Sequence, residues 1–221
     1  MTFFDLSHPI TTGLPVYPGD PAVSVAPALS LPDDGAAVSY LQFGSHTGTH
    51  LDAPSHTVAG GRTVDQLDLD RLRGEAYILH VRETGMSSLA ARTIQREDLA
   101  YLPERLPSIV CIATGWDRYF HDPLREQHPY IDPSLTRELW ARGARVLGVD
   151  TLSPDPTAAN TGQFPVHDFW LGNDGIIVEN LQGLTELPDR VEMSILPLKL
   201  IGVDGSPVRA VAWDRRKHSS P

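Results

Sequence analysis

The 221-residue chain contains a single cysteine, so no disulfide can form within it. Cys111 lies in the apolar run Ser108–Ala113 and reads as a buried strand residue rather than a nucleophile. No apolar run approaches the roughly 20 residues that a membrane-crossing helix needs. The opening Met-Thr-Phe-Phe-Asp has neither the basic start nor the long apolar stretch of a secretory leader, so the expected compartment is the cytoplasm. Positive charge is also scarce: 18 Lys and Arg stand against 28 Asp and Glu, giving a net charge of −10 and a pI near 5.2. That balance argues against nucleic acid and against anionic membrane surfaces as partners. A small anionic substrate stays open, because one arginine or a metal can offset charge locally. The chain has no Gly-x-Ser-x-Gly elbow, no phosphate loop and no Gly-x-Gly-x-x-Gly turn, which removes the main support for serine-hydrolase, nucleotide-binding and dehydrogenase readings. Internal repeats and low-complexity segments are absent as well.

What the chain does have is a hydrophobic fraction of 41%, enough for a substantial core, and a length that suits a single domain over 1–221. Nine histidines are present, and three of them fall in one short run: His46-Thr-Gly-Thr-His50-Leu-Asp52-Ala-Pro-Ser-His56. His46, His50 and Asp52 are separated by even offsets, so an extended backbone turns all three to one face. Thr47 and Thr49 favour strand, and Gly48 and Pro54 disfavour the helix that a four-residue His spacing could otherwise suit. Two imidazoles and a carboxylate on one face form a ligand set for a divalent metal. Pro54 ends the run, which puts His56 after a bend, either as a further ligand or beside the metal as acid or base.

Around this run the patterning reads as mixed α/β. Strands are expected at 3–6, 22–28, 38–43, 76–81, 108–114, 145–149 and 175–179, with further β-structure over 188–203 and a final strand in which Val208, Ala210 and Ala212 alternate. The runs at 108–114 and 145–149 are nearly continuous in apolar residues, the mark of strands buried on both faces and joined as a parallel pair. Helices are expected at 63–73 with Gly74 as the stop, at 95–102, and from Asp132-Pro133 to Gly143. Segments 32–35 and 154–165 read as loops, and the tail from Arg215 as a frayed end. His8 reads as structural, and His121 and His128 as solvent-exposed loop histidines.

The chain resembles the cyclase family that includes bacterial kynurenine formamidase (arylformamidase) and isatin hydrolase. The resemblance runs from Asp5-Leu-Ser-His-Pro-Ile and Val16-Tyr-Pro-Gly-Asp20 through the His46–His56 run. It continues in Thr114-Gly-Trp116, Gly148-Val-Asp-Thr-Leu-Ser153 and Phe164-Pro-Val-His167, then in Ile177-Val-Glu-Asn-Leu181 and Ser206-Pro-Val-Arg209. It implies a swivelling β/β/α domain with a mixed sheet and few helices, and a homodimer or higher homo-oligomer. It also implies a binuclear site on His46, His50, Asp52, His167 and Glu179, with His56 as the catalytic acid/base. Taken alone, His167 and Glu179 would read as unremarkable; the resemblance makes them ligands. The family's formamidases usually carry tryptophan where this chain has Tyr17, so the resemblance places Tyr17 on the substrate pocket with an altered shape.

The expected chemistry is hydrolysis of the C–N bond of a small amide, an arylformamide or a cyclic amide. One or two divalent ions, Zn or Mn, would activate a water, and His56 would protonate the leaving amine. A lyase or true cyclase acting on a carbonyl substrate would use the same metal and base. A binding protein of the same fold would keep the metal but need no spare acid/base.

Overall fold

The computed structural model describes residues 2–82, 89–157 and 162–214. In chain order its strands and helices are β1 (Phe3–Asp5), β2 (Ser24–Leu29), α1 (Leu31–Asp34), β3 (Val38–Gln42), β4 (His50–Asp52), β5 (Arg73–His80), β6 (Thr93–Ile94), β7 (Ile109–Ala113), β8 (Tyr130–Ile131), α2 (Pro133–Ala141), β9 (Val146–Val149), α3 (Pro165–Gly172), β10 (Ile176–Glu179), β11 (Arg190–Pro197) and β12 (Gly205–Trp213). The main sheet runs β1-β12-β11-β5-β7-β9-β10-β4, and β4 also pairs with β12. That last pairing closes seven strands into a ring, with β1 added outside on β12. The strands β5, β7, β9 and β10 are mutually parallel, and the others join antiparallel. The result is the α/β architecture with a mixed, barrel-like sheet and few helices.

Strand alternation sorts the apolar side chains into two cores. Inside the ring lie Leu51, Ala76, Ile78, Ile109, Cys111, Val146, Val178, Met193 and Ala210, among others. On the outer face Tyr77, Leu79, Val110, Ile112, Leu147 and Ile177 pack against α2 and α3 through Leu135, Leu139, Val166 and Trp170. Both faces of β7 and β9 are therefore buried, as their apolar runs required. Cys111 is fully buried, and burial pushes its thiol up to about 12.

Several local expectations are corrected. The 63–73 segment forms two 3-10 turns, Val64–Gln66 and Leu69–Arg71, and Gly74 lies inside β5 rather than stopping a helix. A capping box at Thr63 and Gln66 satisfies the first turn, and the extended backbone of Leu67 and Asp68 separates it from the second, so no continuous α-helix forms. Only Arg96–Asp98 is helical in the 95–102 segment, again as a 3-10 turn. Residues 31–34, read as part of a loop, make one α-helical turn that Gly35 caps in the left-handed conformation. Residues 198–203 form no strand, and β11 ends at Pro197. His128 is 1% exposed rather than solvated, with Nδ1 against the Pro129 carbonyl and Nε2 against Thr157. His121 is exposed, as expected, and His8 is buried with its ring stacked on Phe120. The tail from Arg215 lies outside the described residues.

At the ends of β7 and β9, the buried Asp150 carboxylate accepts hydrogen bonds from the Thr114 and Gly115 amides and the Thr114 hydroxyl, at 2.6–2.8 Å. Asp150→Ala would leave these donors buried and unpaired. The variant is expected to lose about 3 kcal/mol of stability, read as a lowered urea midpoint at unchanged m-value.

Candidate metal centre

β4 brings the histidine run into the sheet. Leu51 points into the ring core, so His50 and Asp52 share the opposite face. Glu179, at the end of β10, is the direct cross-strand partner of His50, and Ile177 is the partner of Asp52. The extended backbone that would align His46 with this pair does not form. Gly48 has φ +62°, a left-handed conformation that glycine adopts without strain, and the strand begins only at His50. His46 instead reaches Asp52 by folding back over the turn, with its Nδ1 2.8 Å from Asp52 Oδ1. Gly205 makes room for it: a Cβ there would lie 2.7 Å from the His46 ring. The turn is tied to β10 by Asn180, whose Nδ2 donates to the Gly48 carbonyl and whose own carbonyl accepts from Thr49 Oγ1. His56 sits on the 3-10 turn Pro54–His56, after the bend that Pro54 imposes.

His167 is not at the end of a loop but in the first turn of α3, a helix with no local side-chain cap. Its cap comes from Asp155, whose two carboxylate oxygens accept the amides of Val166 and His167 at 3.0 Å. Asp155 Oδ2 also accepts from His167 Nδ1 at 2.7 Å.

These contacts fix the imidazole tautomers. The Gly48 carbonyl can only accept, so His50 Nδ1, 2.8 Å away, carries a hydrogen, and in the neutral ring the lone pair is on Nε2, facing the cluster. Asp155 does the same for His167. The two free Nε2 atoms converge on Asp52 and Glu179. His50 Nε2 lies 3.4 Å from Asp52 and 3.3 Å from Glu179, and His167 Nε2 lies 3.6 Å and 3.2 Å from them. Among the described residues, His50 Nε2, Asp52 Oδ2 and Glu179 Oε1 are buried without a hydrogen-bond partner. A lone-pair nitrogen and carboxylate oxygens turned on one point, each imidazole held from behind by an acceptor, is the donor set of a divalent cation. His50, Asp52 and Glu179 present ligand atoms within 4.8 Å of one another, as do His46, Asp52 and His56, so Asp52 is common to two groups.

The charge balance agrees. Among the described residues, the ion-pair partners of Asp52 and Glu179 are histidines alone. Burial opposes protonation of His50, but the two carboxylates outweigh it and raise its pKa to about 10. His167 is raised well above the usual histidine range in the same way, with Asp155 adding to the pull. Burial disfavours ionisation of Asp52, yet its histidine neighbours hold it well below the usual carboxylate range. The cluster thus demands positive charge.

A cavity of about 440 Å³ opens above the cluster. Tyr17, Asp20, Leu152, Ser153 and Phe164 contribute to its wall, and His46, His50, His56, His167 and Glu179 to its polar side. Tyr17 is half-buried, and burial raises its pKa. Two residues at the site were not anticipated from sequence, Asp155 and Asp204. Asp204 sits immediately before β12, with Oδ2 2.8 Å from His46 Nε2 and 3.2 Å from His56 Nδ1. Burial pushes its carboxyl up, but the hydrogen bonds with His46 and His56 prevail and hold it at about 2. Each lies just beyond a segment that carried the family resemblance, Asp155 two residues after Ser153 and Asp204 two before Ser206, and neither is close in sequence to the histidine it contacts.

The family model described as Putative cyclase matches residues 4–156. The kynurenine formamidase of Geobacillus thermodenitrificans is 35% identical over 211 residues, covering 94% of this chain and 95% of that protein. The kynurenine formamidase of Salinibacter ruber is 31% identical over 97% of this chain and 98% of that protein. Among solved structures, isatin hydrolase A from Labrenzia aggregata superposes with a TM-score of 0.82 at 23% identity, over 96% of this chain and 93% of that one, a likeness of fold. A structure described as a potential metal-dependent hydrolase with cyclase activity gives 0.76 at 28% identity, over 97% of this chain and 98% of that one. With relatives matched along nearly their whole length and a donor set built for a divalent ion, the chain belongs to the cyclase family and is a metal-dependent amide hydrolase.

Proposed function

We propose that the protein hydrolyses the C–N bond of an arylformamide or cyclic amide, with His46, His50, Asp52, His167 and Glu179 holding one or two zinc or manganese ions. The observation that carries this reading is the convergence of buried, unpartnered His50, Asp52 and Glu179 atoms beneath an open cavity. The curated relatives act as kynurenine formamidases, which points to an aryl amide as substrate. When bound, the ion supplies Lewis acidity, polarising a carbonyl and lowering the pKa of a bound water.

The chain's own residues do the rest. Gly48 and Asp155 keep His50 and His167 as Nδ1–H tautomers, so their Nε2 atoms are ready without rearrangement. The cavity walls at Tyr17, Leu152 and Phe164 offer apolar surface to a planar substrate and restrict water around it. An amine leaves an amide carbon only once protonated. His56 lines the cavity, and its side chain keeps 32% exposure against 2% for His50 and 6% for His167, so it has the better access to solvent protons. It accepts a proton from the attacking water and delivers one to the departing nitrogen, so that amide and water become acid and amine. Tyr17 sets the pocket shape against one face of the substrate. The active unit is a homodimer or higher homo-oligomer in the cytoplasm. No helix among the described residues is long and apolar enough to cross a membrane, and the acidic net charge disfavours nucleic acid as a partner.

Four measurements test this reading. Elemental analysis of purified protein, with assays of N-formylkynurenine, isatin and simple aryl formamides after reconstitution, should find one or two equivalents of metal and turnover of at least one compound. Absence of stoichiometric metal after reconstitution would sink the proposal. Product mass separates hydrolysis, which adds water, from cyclisation, which does not. His56→Ala should retain its metal and lose roughly 10²–10⁴-fold in turnover; loss of metal instead would make His56 a ligand. Asp52→Ala should lose most bound metal, and unchanged stoichiometry would reject Asp52 as a ligand.

A further inference from the structure

Asp204 is placed by the same strand pairing that places Asp52. Gly205 is the register partner of Asp52 in the β4–β12 ladder, and the Ala53 amide donates to the Asp204 carbonyl at 2.8 Å. The backbone of Asp204 is therefore fixed at the mouth of the site. Its two carboxylate oxygens have separate tasks. Oδ1 accepts from the Ser45 hydroxyl at 3.1 Å, which anchors the carboxylate to the residue preceding His46. Oδ2 receives both imidazoles, His46 Nε2 at 2.8 Å and His56 Nδ1 at 3.2 Å. The two rings lie side by side, their centroids 4.1 Å apart.

An ionised carboxylate oxygen only accepts, so the ring atoms facing it carry hydrogens. For His56 that atom is Nδ1, and in the neutral ring the lone pair is then on Nε2, at the opposite edge. Nothing else among the described residues hydrogen-bonds the His56 ring. Without Asp204, an imidazole on a partly exposed 3-10 turn would rotate and exchange tautomers. We propose that Asp204 is a positioning residue: it holds His56 as the Nδ1–H tautomer with Nε2 free to move the proton, and through the shared oxygen it sets His56 against His46. This rests on the reading of His56 as acid/base. It also explains why the site carries a carboxylate outside the converging cluster that presents no free oxygen to it. Carboxylates that orient an imidazole from behind act in this way in nucleophilic triads, where their loss leaves the wrong tautomer. Asp204 is less buried than those carboxylates, with 41% side-chain exposure, so a smaller effect is expected.

The experiment combines spectroscopy with kinetics on the full-length, zinc-reconstituted protein. Long-range proton–nitrogen NMR, with His56 assigned by comparison with His56→Ala, should show the Nδ1–H tautomer in the wild type. Asp204→Ala should show a mixture or the Nε2–H form. Asp204→Ala and the isosteric Asp204→Asn should keep zinc content and thermal midpoint, lose about 10–100-fold in kcat, and hold KM for formanilide within about threefold. The loss should grow from 4-nitroformanilide to 4-methoxyformanilide, because the poorer leaving amine depends more on a correctly placed proton. Asp204→Glu should recover part of the rate. An unchanged His56 tautomer in both variants, an unchanged kcat, or a loss of zinc that accounts for the lost rate would each overturn the proposal. If wild-type enzyme turned over no amide, the reading of function would fail, while the tautomer measurement would still decide the role of Asp204.

Discussion

The structure depends on the three residues of β4. Among the described residues they are the link that closes the sheet between β10 and β12, and every one of them has a defined direction. Leu51 completes the apolar interior, while His50 and Asp52 are left on the outer face among charged neighbours. Closure of the ring therefore brings His50, Asp52 and Glu179 together in the same step. Glu179 arrives opposite His50 on one side, and Asp204 arrives beside Asp52 on the other, both through strand register alone. A one-residue slip in either ladder would turn the wrong side chains outward.

The energetic cost of this arrangement is concentrated in a few buried atoms. Asp52 and Glu179 are almost fully removed from water with no lysine or arginine as ion-pair partner among the described residues. Buried carboxylates of that kind destabilise a fold unless a cation or a network of donors offsets them. In this chain the histidines supply part of the compensation, and their raised pKa values record the pull. A divalent ion held by the cluster would supply the compensation without placing protons on the imidazole lone pairs.

The outer contacts make that cluster rigid. Each imidazole that faces it is held from behind: His50 by the Gly48 carbonyl, His167 by Asp155, His46 by Asp204. Asp155 shows how economical this is. One carboxylate caps the α3 N-terminus and orients His167, which the helix carries. The position of α3 and the orientation of the His167 ring are thereby coupled, so a shift of α3 would be felt at the cluster.

Much of this was legible from the chain alone. The spacing His46–His50–Asp52 announced a ligand set, Pro54 announced the bend before His56, and the apolar runs at 108–114 and 145–149 announced the parallel centre of the sheet. These features are local: they depend on side-chain chemistry, strand periodicity and backbone restriction within a few residues. The sequence read alone misplaced His46 on a continuous strand, because a left-handed glycine at 48 and a neighbouring Asn180 decide that turn. It read 154–165 as a loop ending near His167, because the cap of α3 lies ten residues upstream of the helix and is invisible to a search for local caps. It passed over Asp155 and Asp204, since an isolated aspartate carries no signal until the fold sets it beside an imidazole. Glu179 and His167 became ligands only by family likeness, and the structure brings them together through pairings that span more than a hundred residues. Residue types and local conformation belonged to the sequence; convergence, tautomer and charge balance were decided by tertiary structure, because hydrogen-bond geometry and burial exist only between segments that folding has brought into contact.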